Sequence, residues 1–158
     1  MMRFISQAWA ILTPTQKNAW EDLADAGVFS TFNAYTKYNL ARNKDFLAPI
    51  AGIGIDNTLT PSVIDTFAAT AGVRSISITI NDDGLNDTNW GFLLYRSTST
   101  GFTPGFDNLI ALIPADGVNV VTYVDTPLVP DEYFYDAKPF TDEGDIGALS
   151  GEISDTVA

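Results

Sequence analysis

The most constraining feature of this sequence is a strict alternation of apolar and hydroxyl residues at positions 75–80, which read SISITI. In an extended strand, Ile76, Ile78 and Ile80 would lie on one face and the hydroxyl residues on the other, because successive side chains point to opposite faces. A helix would instead scatter the three isoleucines around its circumference. Residues 74–81 are therefore predicted to form a strand with one face in a core.

Similar runs recur through the rest of the chain, separated by glycine, proline and aspartate. The predicted strands are residues 63–69, 74–81, 90–98, 109–113, 118–125, 132–140 and about 146–157. Short strands at this spacing, with turn residues between them, are typical of an antiparallel sandwich. We therefore expect a mainly β protein, a seven-stranded antiparallel β-sandwich that closes around Ile78, Leu94 and Tyr135.

Four motifs in this region resemble the fibronectin type III family, in the variant common in bacterial and viral extracellular proteins. They are LLYRS at 93–97, YVDTPLVP at 123–130, YFYDAKPF at 133–140, and Gly144 in the turn that follows. Two positions depart from the family pattern. Isoleucines replace the tryptophan often found late in the second strand, and Asp131 replaces the glycine expected after Pro130. The resemblance covers residues 60–158 and implies a fibronectin type III or immunoglobulin-like sandwich.

Two tyrosines near the start of the sixth predicted strand have a structural interpretation. Tyr133 and Tyr135 follow Leu128 and Pro130 at nearly the spacing of a tyrosine corner. In that feature a phenol bonds to the backbone across the preceding loop. We therefore expect these tyrosines to stabilise the sandwich.

Residues 6–44 have helical periodicity, and two helices are predicted there. Thr13 and Gln16, on either side of a proline, supply the N-cap and the third-position amide of a capping box. Gly27 is expected to end the first helix, and Ser30 or Thr31 to begin the second. The chain is thus predicted to have three parts: a helical anchoring segment at 1–45, an extended connector at 46–62 and the sandwich at 63–158.

The helical segment resembles uncharacterised structural proteins of bacterial viruses. The positions that carry this resemblance are Trp9, Leu12, Thr13, Gln16, Ala19, Trp20, Leu23, Ala24, Asn33, Tyr35, Asn39 and Arg42. The same spacing also resembles the later helices of an HMG box, but binding to DNA through such helices requires a basic face.

Two roles are open for the aromatic residues of this segment. Helices this short cannot bury both faces by themselves, so their aromatic residues are expected to pack on each other or on the sandwich. Because interfaces are rich in Trp, Tyr and Arg, a subset is also expected to dock onto a partner subunit. The docking candidates are Trp9, Trp20, Phe32, Tyr35, Tyr38 and Arg42.

Charge is unevenly distributed along the chain. Residues 1–48 hold five basic and four acidic residues, for a net charge of +1. Residues 49–158 hold three basic and sixteen acidic residues, for a net charge of −13, and the two values sum to −12. An acidic surface repels nucleic-acid phosphates and anionic lipid. We therefore expect the sandwich to bind no nucleic acid, and the helical segment to have too little positive charge for DNA.

The chain contains no cysteine and no histidine. The missing histidine excludes Ser/His/Asp and Cys/His nucleophile systems and nearly all zinc sites. A glycosidase pair of carboxylates requires a walled cleft, which loop aspartates at the end of a small sandwich are not expected to have. We therefore expect neither an enzyme nor a cofactor. No apolar run is long enough for a membrane span or a signal peptide.

Two acidic loops are candidates for a calcium site. One holds Asp82, Asp83 and Asp87, and the other holds Asp142 and Asp145. The fibronectin type III resemblance implies that the two loops emerge at the same end of the sandwich, and calcium prefers oxygen ligands. Neither loop matches the twelve-residue calcium loop, and aspartate is a common turn former. Turn formation is therefore the favoured interpretation.

These features favour a non-enzymatic structural protein of a bacteriophage virion, such as a capsid vertex, decoration or spike-base protein. Its partners would be other capsid or virion subunits, in a homo- or hetero-oligomeric assembly. The alternative is an extracellular bacterial adhesion or carbohydrate-binding module, in which Phe102 or Trp90 would form an aromatic platform. A third hypothesis is a small DNA-associated protein that acts through residues 1–44, and it predicts salt-dependent retardation of duplex DNA.

Overall fold

A computed structural model of the chain describes residues 2–27, 30–45, 47–54, 59–81, 88–115 and 120–158. The helices in these ranges are α1 (Met2–Ile11), α2 (Pro14–Asn18), α3 (Glu21–Gly27) and α4 (Thr31–Lys44). The strands are β1 (Thr66–Gly72), β2 (Ser75–Asn81), β3 (Gly91–Ser97), β4 (Leu109–Pro114), β5 (Val120–Asp125), β6 (Asp131–Phe140) and β7 (Ile153–Val157). A short 3₁₀ turn, Phe106–Asn108, precedes β4.

The strands form two antiparallel sheets that face each other. One sheet has the order β1-β2-β5 and the other the order β4-β3-β6-β7. Both sheets contribute to a single apolar core, in which Ile78, Leu94 and Tyr135 are completely buried. The prediction of a mainly β, antiparallel sandwich closed around these three residues is therefore confirmed.

The predicted strands agree with the observed ones in the middle of the sandwich and differ at its two ends. The first strand, predicted at 63–69, is instead β1 (Thr66–Gly72), which pairs with β2 along its whole length and ends with Gly72 opposite Ser75. The last strand, predicted from about residue 146, begins only at Ile153. Ile146 forms an isolated bridge with Phe140, and Gly151 has a φ of 91°, which interrupts an extended path.

Among the described residues the helical segment contains four helices, so the prediction of two is wrong. The first break occurs at Thr13, which has an extended backbone and precedes a proline. The predicted capping box is confirmed: the Gln16 backbone N–H donates to Thr13 Oγ1 at 3.2 Å, and the Thr13 N–H donates to Gln16 Oε1 at 2.9 Å. A turn at Ala19 and Trp20 makes the second break and directs the Trp20 ring inward.

The four helices form a layer that covers the outer face of the β4-β3-β6-β7 sheet. Phe4 and Ala8 of α1 pack with Leu93, Tyr95 and Phe140, whose side chains point away from the sandwich core. As a result, β3 is buried on both faces along most of its length. The protein therefore has three layers, namely the helical layer, the four-stranded sheet and the three-stranded sheet.

The segment between α4 and the sandwich is held inside the protein rather than forming a free linker. Ala48, Ile50 and Ala51 are buried between the helical layer and the sandwich. The sequence predicts that the apolar residues Ile50, Ile53 and Ile55 of this connector lie against a surface. Ile50 is buried, which confirms the prediction there, whereas Ile53 is 37% exposed. Ile55 lies outside the described residues.

Side chains of the helices bind the backbone of this connector. Asn39 donates from Nδ2 to the Ile50 carbonyl at 3.1 Å and accepts from the Ile50 N–H at 2.8 Å. Trp20 donates from Nε1 to the Ala51 carbonyl at 2.8 Å. Arg42, one of the docking candidates, donates from Nε to the Ala48 carbonyl at 2.7 Å. These bonds satisfy buried peptide groups of the connector that have no neighbouring strand to pair with.

Two polar features stabilise the sandwich itself. Tyr133 donates to the Val129 carbonyl at 3.1 Å, which confirms the predicted tyrosine corner. Asp125 of β5 accepts from Arg96 Nη1 of β3 at 2.8 Å and from the Tyr135 hydroxyl of β6 at 2.9 Å. The Asp125 carboxylate therefore joins the two sheets. Burial and this neighbouring carboxylate raise the pKa of Tyr135.

None of the helices in the described part of the chain has the length and apolar character needed to cross a membrane.

Candidate functional site

Two of the six docking candidates are core residues. Trp20 and Tyr35 are completely buried, and their rings meet edge to face with centroids 5.2 Å apart. Burial raises the pKa of Tyr35. These two side chains belong to the core of this chain rather than to a docking surface, as the alternative expectation of packing within the chain predicted.

The other four candidates lie at the margins of the helical layer. Trp9, Phe32 and Tyr38 are half-buried, and the Trp9 and Phe32 rings are 5.6 Å apart. Lys17 lies over the Trp9 ring at 5.5 Å. The half-buried Arg42 binds the connector. Phe32 and Tyr38 of α4 therefore remain partly accessible, whereas the guanidinium of Arg42 has a role inside the protein.

The outward side of α4 forms a surface that we call the α4 face. Its residues are Asn33, Lys37, Leu40, Ala41 and Lys44. Two of the three basic residues of α4, Lys37 and Lys44, lie on this face, and α4 contains no acidic residue. Between α4 and α3 runs an apolar groove of about 320 Å³, lined by Leu23, Ala26, Gly27, Ala34, Lys37, Tyr38 and Ala41. The α4 face is therefore cationic and partly apolar, on a protein whose net charge is −12.

The calcium candidates are only partly within the described structure. Asp82, Asp83 and Asp87 lie outside the described residues. Asp142 accepts from Gln16 Nε2 at 3.2 Å, and the Asp145 backbone N–H donates to Thr141 Oγ1 at 3.2 Å. Within the described ranges, no three acidic side chains are grouped so that they could hold a metal ion. Asp142 and Asp145 thus take part in a local turn and in the contact with α2.

A cleft lies where the end of α1 and α2 meet the loops at one end of the sandwich. We call it the junction cleft, and it has a volume of about 520 Å³. Its lining residues combine apolar, aromatic, amide, hydroxyl and carboxylate groups: Ile11, Leu12, Gln16, Leu59, Thr88, Asn89, Trp90 and Asp142. Burial, and to a smaller extent the neighbouring Glu143, raise the pKa of Asp142.

The polar groups of the junction cleft are fixed by neighbouring elements. Gln16 is held between the capping box of α2 and Asp142. Thr88 donates from Oγ1 to the Thr60 carbonyl at 2.6 Å, and Asn89 donates from Nδ2 to the Ser62 carbonyl at 3.1 Å. The cleft is therefore built from side chains whose positions are set before any ligand arrives.

Trp90 links the junction cleft to the helical layer. Its ring is half-buried and meets the Phe4 ring at 5.2 Å and the Phe140 ring at 6.1 Å, both nearly perpendicular. Phe102, the other residue considered for an aromatic platform, is half-buried and packs instead against the core beneath α1. Phe106 is 47% exposed, but it does not line the junction cleft.

Comparisons with known proteins identify similar structures but no family. No protein-family model matches this sequence, and no curated protein matches it. A β-1,2-glucanase from Parabacteroides distasonis is similar in structure over 62% of this chain, with 18% identity and a TM-score of 0.44. This chain spans only 14% of that enzyme's length.

A second similar structure is the fibronectin type III domain of human fibronectin type III domain containing protein 3. It matches 64% of this chain and 92% of that domain, with 16% identity and a TM-score of 0.38. Both similarities are too low to carry an argument about function.

Proposed function

We propose that this chain is a non-enzymatic structural module that joins a larger protein assembly through the α4 face. The observation that carries the proposal is the contrast in charge between α4 and the rest of the molecule. The α4 face presents Lys37 and Lys44 beside apolar side chains, whereas residues 49–158 have a net charge of −13. A partner that fits this surface is another protein subunit with an acidic patch, because complementary charge guides and orients association.

The more specific proposal is a component of a bacteriophage virion, such as a capsid vertex, decoration or spike-base protein. It is supported by the resemblance of residues 9–42 to structural proteins of bacterial viruses. Several positions in that resemblance, including Trp20, Asn39 and Arg42, bind the buried connector here. In this chain, these positions therefore fix the helical layer to a neighbouring chain segment, which is a structural rather than a catalytic role.

The sandwich is proposed to be of the fibronectin type III kind, with seven strands divided three and four between the sheets. The tyrosine corner at Tyr133 and the sheet order support this assignment. In an assembly, such a sandwich would be displayed while the helical layer makes the contact. The acidic surface of the sandwich would keep displayed copies apart by charge repulsion.

Cross-linking mass spectrometry of purified virus particles that contain this chain tests the proposal. Lysine cross-links to a different subunit should come from Lys37 and Lys44. Lys138, which is half-buried on β6 of the sandwich, provides an internal comparison and should give few such cross-links. Absence of the chain from purified particles would refute the virion assignment, and cross-links concentrated at Lys138 would refute docking through the α4 face.

A charge-reversed variant tests the same surface by mutation. Lys37→Glu combined with Lys44→Glu should abolish incorporation into the assembly, whereas Lys138→Glu should leave incorporation unchanged. Because α4 is basic, the same variants also test the DNA-binding hypothesis. If the wild-type chain retards duplex DNA in a salt-dependent manner and the double variant does not, the α4 face binds nucleic acid and the proposed protein partner is wrong.

A further inference from the structure

The junction cleft has the dimensions of a small-molecule site. Its volume of about 520 Å³ lies within the range of about 300 to 1,000 Å³ typical of ligand clefts. It differs from the apolar groove between α3 and α4, because half of its lining is polar. A ligand that fits it must present both an apolar surface and hydrogen-bonding groups.

Sugars have this combination of properties. One face of a pyranose ring carries C–H groups and packs against an aromatic ring, whose face is electron-rich. The hydroxyl groups around the rim both donate and accept hydrogen bonds. In the junction cleft Trp90 supplies the aromatic surface, and Gln16, Thr88 and Asp142 supply amide, hydroxyl and carboxylate groups. A carboxylate is the strongest acceptor for a sugar hydroxyl, since bonds to a charged group are shorter and stronger.

The negative charge of the cleft and of the whole chain excludes anionic sugars. Asp142 is the single charged residue among the described residues that line the cleft, and the chain as a whole carries a net charge of −12. Uronic acids and sulfated sugars would therefore be repelled. Neutral hexoses bring no charge into the cleft and lose nothing to this repulsion.

The rigidity of the cleft favours binding without rearrangement. Gln16 and Asp142 are bonded to each other at 3.2 Å, and Thr88 is bonded to the backbone before β1. Trp90 is held by the Phe4 and Phe140 rings. Groups that are already ordered lose little conformational entropy when a ligand binds.

We infer that the junction cleft is a binding site for a neutral oligosaccharide, contacted by Trp90, Thr88, Gln16 and Asp142. This inference is independent of assembly through the α4 face. The two surfaces share no residue, and binding of sugar by the isolated chain can be measured without any assembly partner.

The test is an NMR titration of the full ¹⁵N-labelled chain with maltotriose, cellotriose and laminaritriose. At least one of these should shift the Trp90 indole N–H signal and the Thr88 amide signal, with a Kd on the order of 1 mM or tighter. The signals of Trp9 and Trp20 should not move. The anionic trisaccharide trigalacturonate should bind more weakly than the best neutral one.

Two matched substitutions on α1 separate binding from folding. Ile11 lines the cleft and is 64% exposed, and Met2 lies at the other end of the same helix and is 50% exposed. Ile11→Arg should obstruct the cleft and weaken binding about tenfold or more, while Met2→Arg should leave the Kd unchanged. Both variants should keep the dispersed spectrum of the wild type, because neither residue is buried.

Three results would overturn the inference. One is the absence of any shift at Trp90 with all three neutral sugars. Another is equal binding by the Ile11→Arg and Met2→Arg variants, which would place the sugar elsewhere. The third is binding of trigalacturonate as tightly as the best neutral trisaccharide, which would refute the neutral class of ligand.

Discussion

The core between the two sheets and the core beneath the helices are stabilised in different ways. Between the sheets, apolar side chains from alternating strand positions pack together, and each strand's peptide groups pair with the next strand. Beneath the helices, Asn39 and Trp20 bind peptide groups of a connector that has no strand partner. Truncating a side chain should therefore leave a cavity in the first core, but unpaired buried peptide groups in the second.

The largest effect is expected in the core between the sheets. Leu94 is completely buried on the central strand β3. Leu94→Ala should lower the free energy of unfolding by about 3 kcal/mol, because the transfer cost of the lost atoms adds to the cost of the cavity. Urea unfolding followed by circular dichroism measures this change. Val73→Ala, at a site that is 92% exposed, should have almost no effect, and similar losses for the two variants would contradict the assigned core.

The core beneath the helices should respond locally. Asn39→Ala would leave both the N–H and the carbonyl of Ile50 buried and unpaired, at a cost of about 2 kcal/mol. The decisive measurement is hydrogen exchange: the Ile50 amide should exchange faster, while the amides of β2 stay protected. Asn33→Ala, on the exposed side of the same helix, is the matched control. If β2 were to lose protection equally, the two cores would unfold as one unit.

Replacing a buried tyrosine by phenylalanine should change stability differently in the two cores. Tyr135 donates to the Asp125 carboxylate, so Tyr135→Phe should cost about 1 to 2 kcal/mol. The Tyr35 hydroxyl is buried without a hydrogen-bond partner among the described residues, so Tyr35→Phe should be neutral or slightly stabilising. Chemical denaturation of the two variants under identical conditions checks this. A clear loss on Tyr35→Phe would mean that its hydroxyl has a partner in solution.

The same tyrosines give a pH dependence. Burial raises the pKa of both Tyr35 and Tyr135 above the ordinary value of 10.0. The unfolded chain therefore loses these protons first, so stability is fully present below pH 10.0 and falls as the pH rises above it. Unfolding free energies measured on both sides of that pH should show the fall, and it should be smaller in Tyr135→Phe.

The smallest effect is expected where the helical layer meets the sandwich loops. Burial raises the pKa of Asp142 above 3.8. The protonated Asp142 carboxyl therefore contributes fully to stability below pH 3.8, and this contribution is lost as the pH rises through the raised pKa. Asp142→Asn, which removes the charge, should slightly stabilise the protein at pH 7, and the gain should vanish in acid. Asp107→Asn, on an exposed turn, should show neither change in denaturation experiments.

The sandwich could be predicted from the sequence because its signals are local. The isoleucines of β2 define a strand and its buried face without reference to any other part of the chain. The double burial of β3 was not predicted, although Phe92, Leu93, Leu94 and Tyr95 form a continuous apolar run, which is a known sign of a strand buried on both faces. The second face is covered by α1, whose position depends on packing that no local pattern specifies.

The helices and the site were harder to predict for the same reason. The capping box at Thr13 marked a helix start correctly, but the break at Trp20 follows from its bond to Ala51, a contact between distant positions. The helical spacing of Trp9, Trp20 and Tyr35 is equally consistent with packing in the core and with contact to a partner. Only the fold shows which of these residues are buried. The junction cleft brings residue 11 together with residue 142, which no local pattern indicates. Of its lining residues, the sequence indicated Trp90 as a candidate for binding sugar and Asp142 as a candidate for binding calcium.

The burial of β3 on both faces determines which fragments of this protein can be handled separately. A fragment cut at residue 63, where the sequence placed the start of the sandwich, would uncover Leu93, Tyr95 and Phe140 along one side. An exposed hydrophobic patch of this kind promotes association with other molecules, so the fragment would precipitate or bind chaperones during expression. The shortest fragment suitable for expression therefore includes α1 and the connector as well as the sandwich.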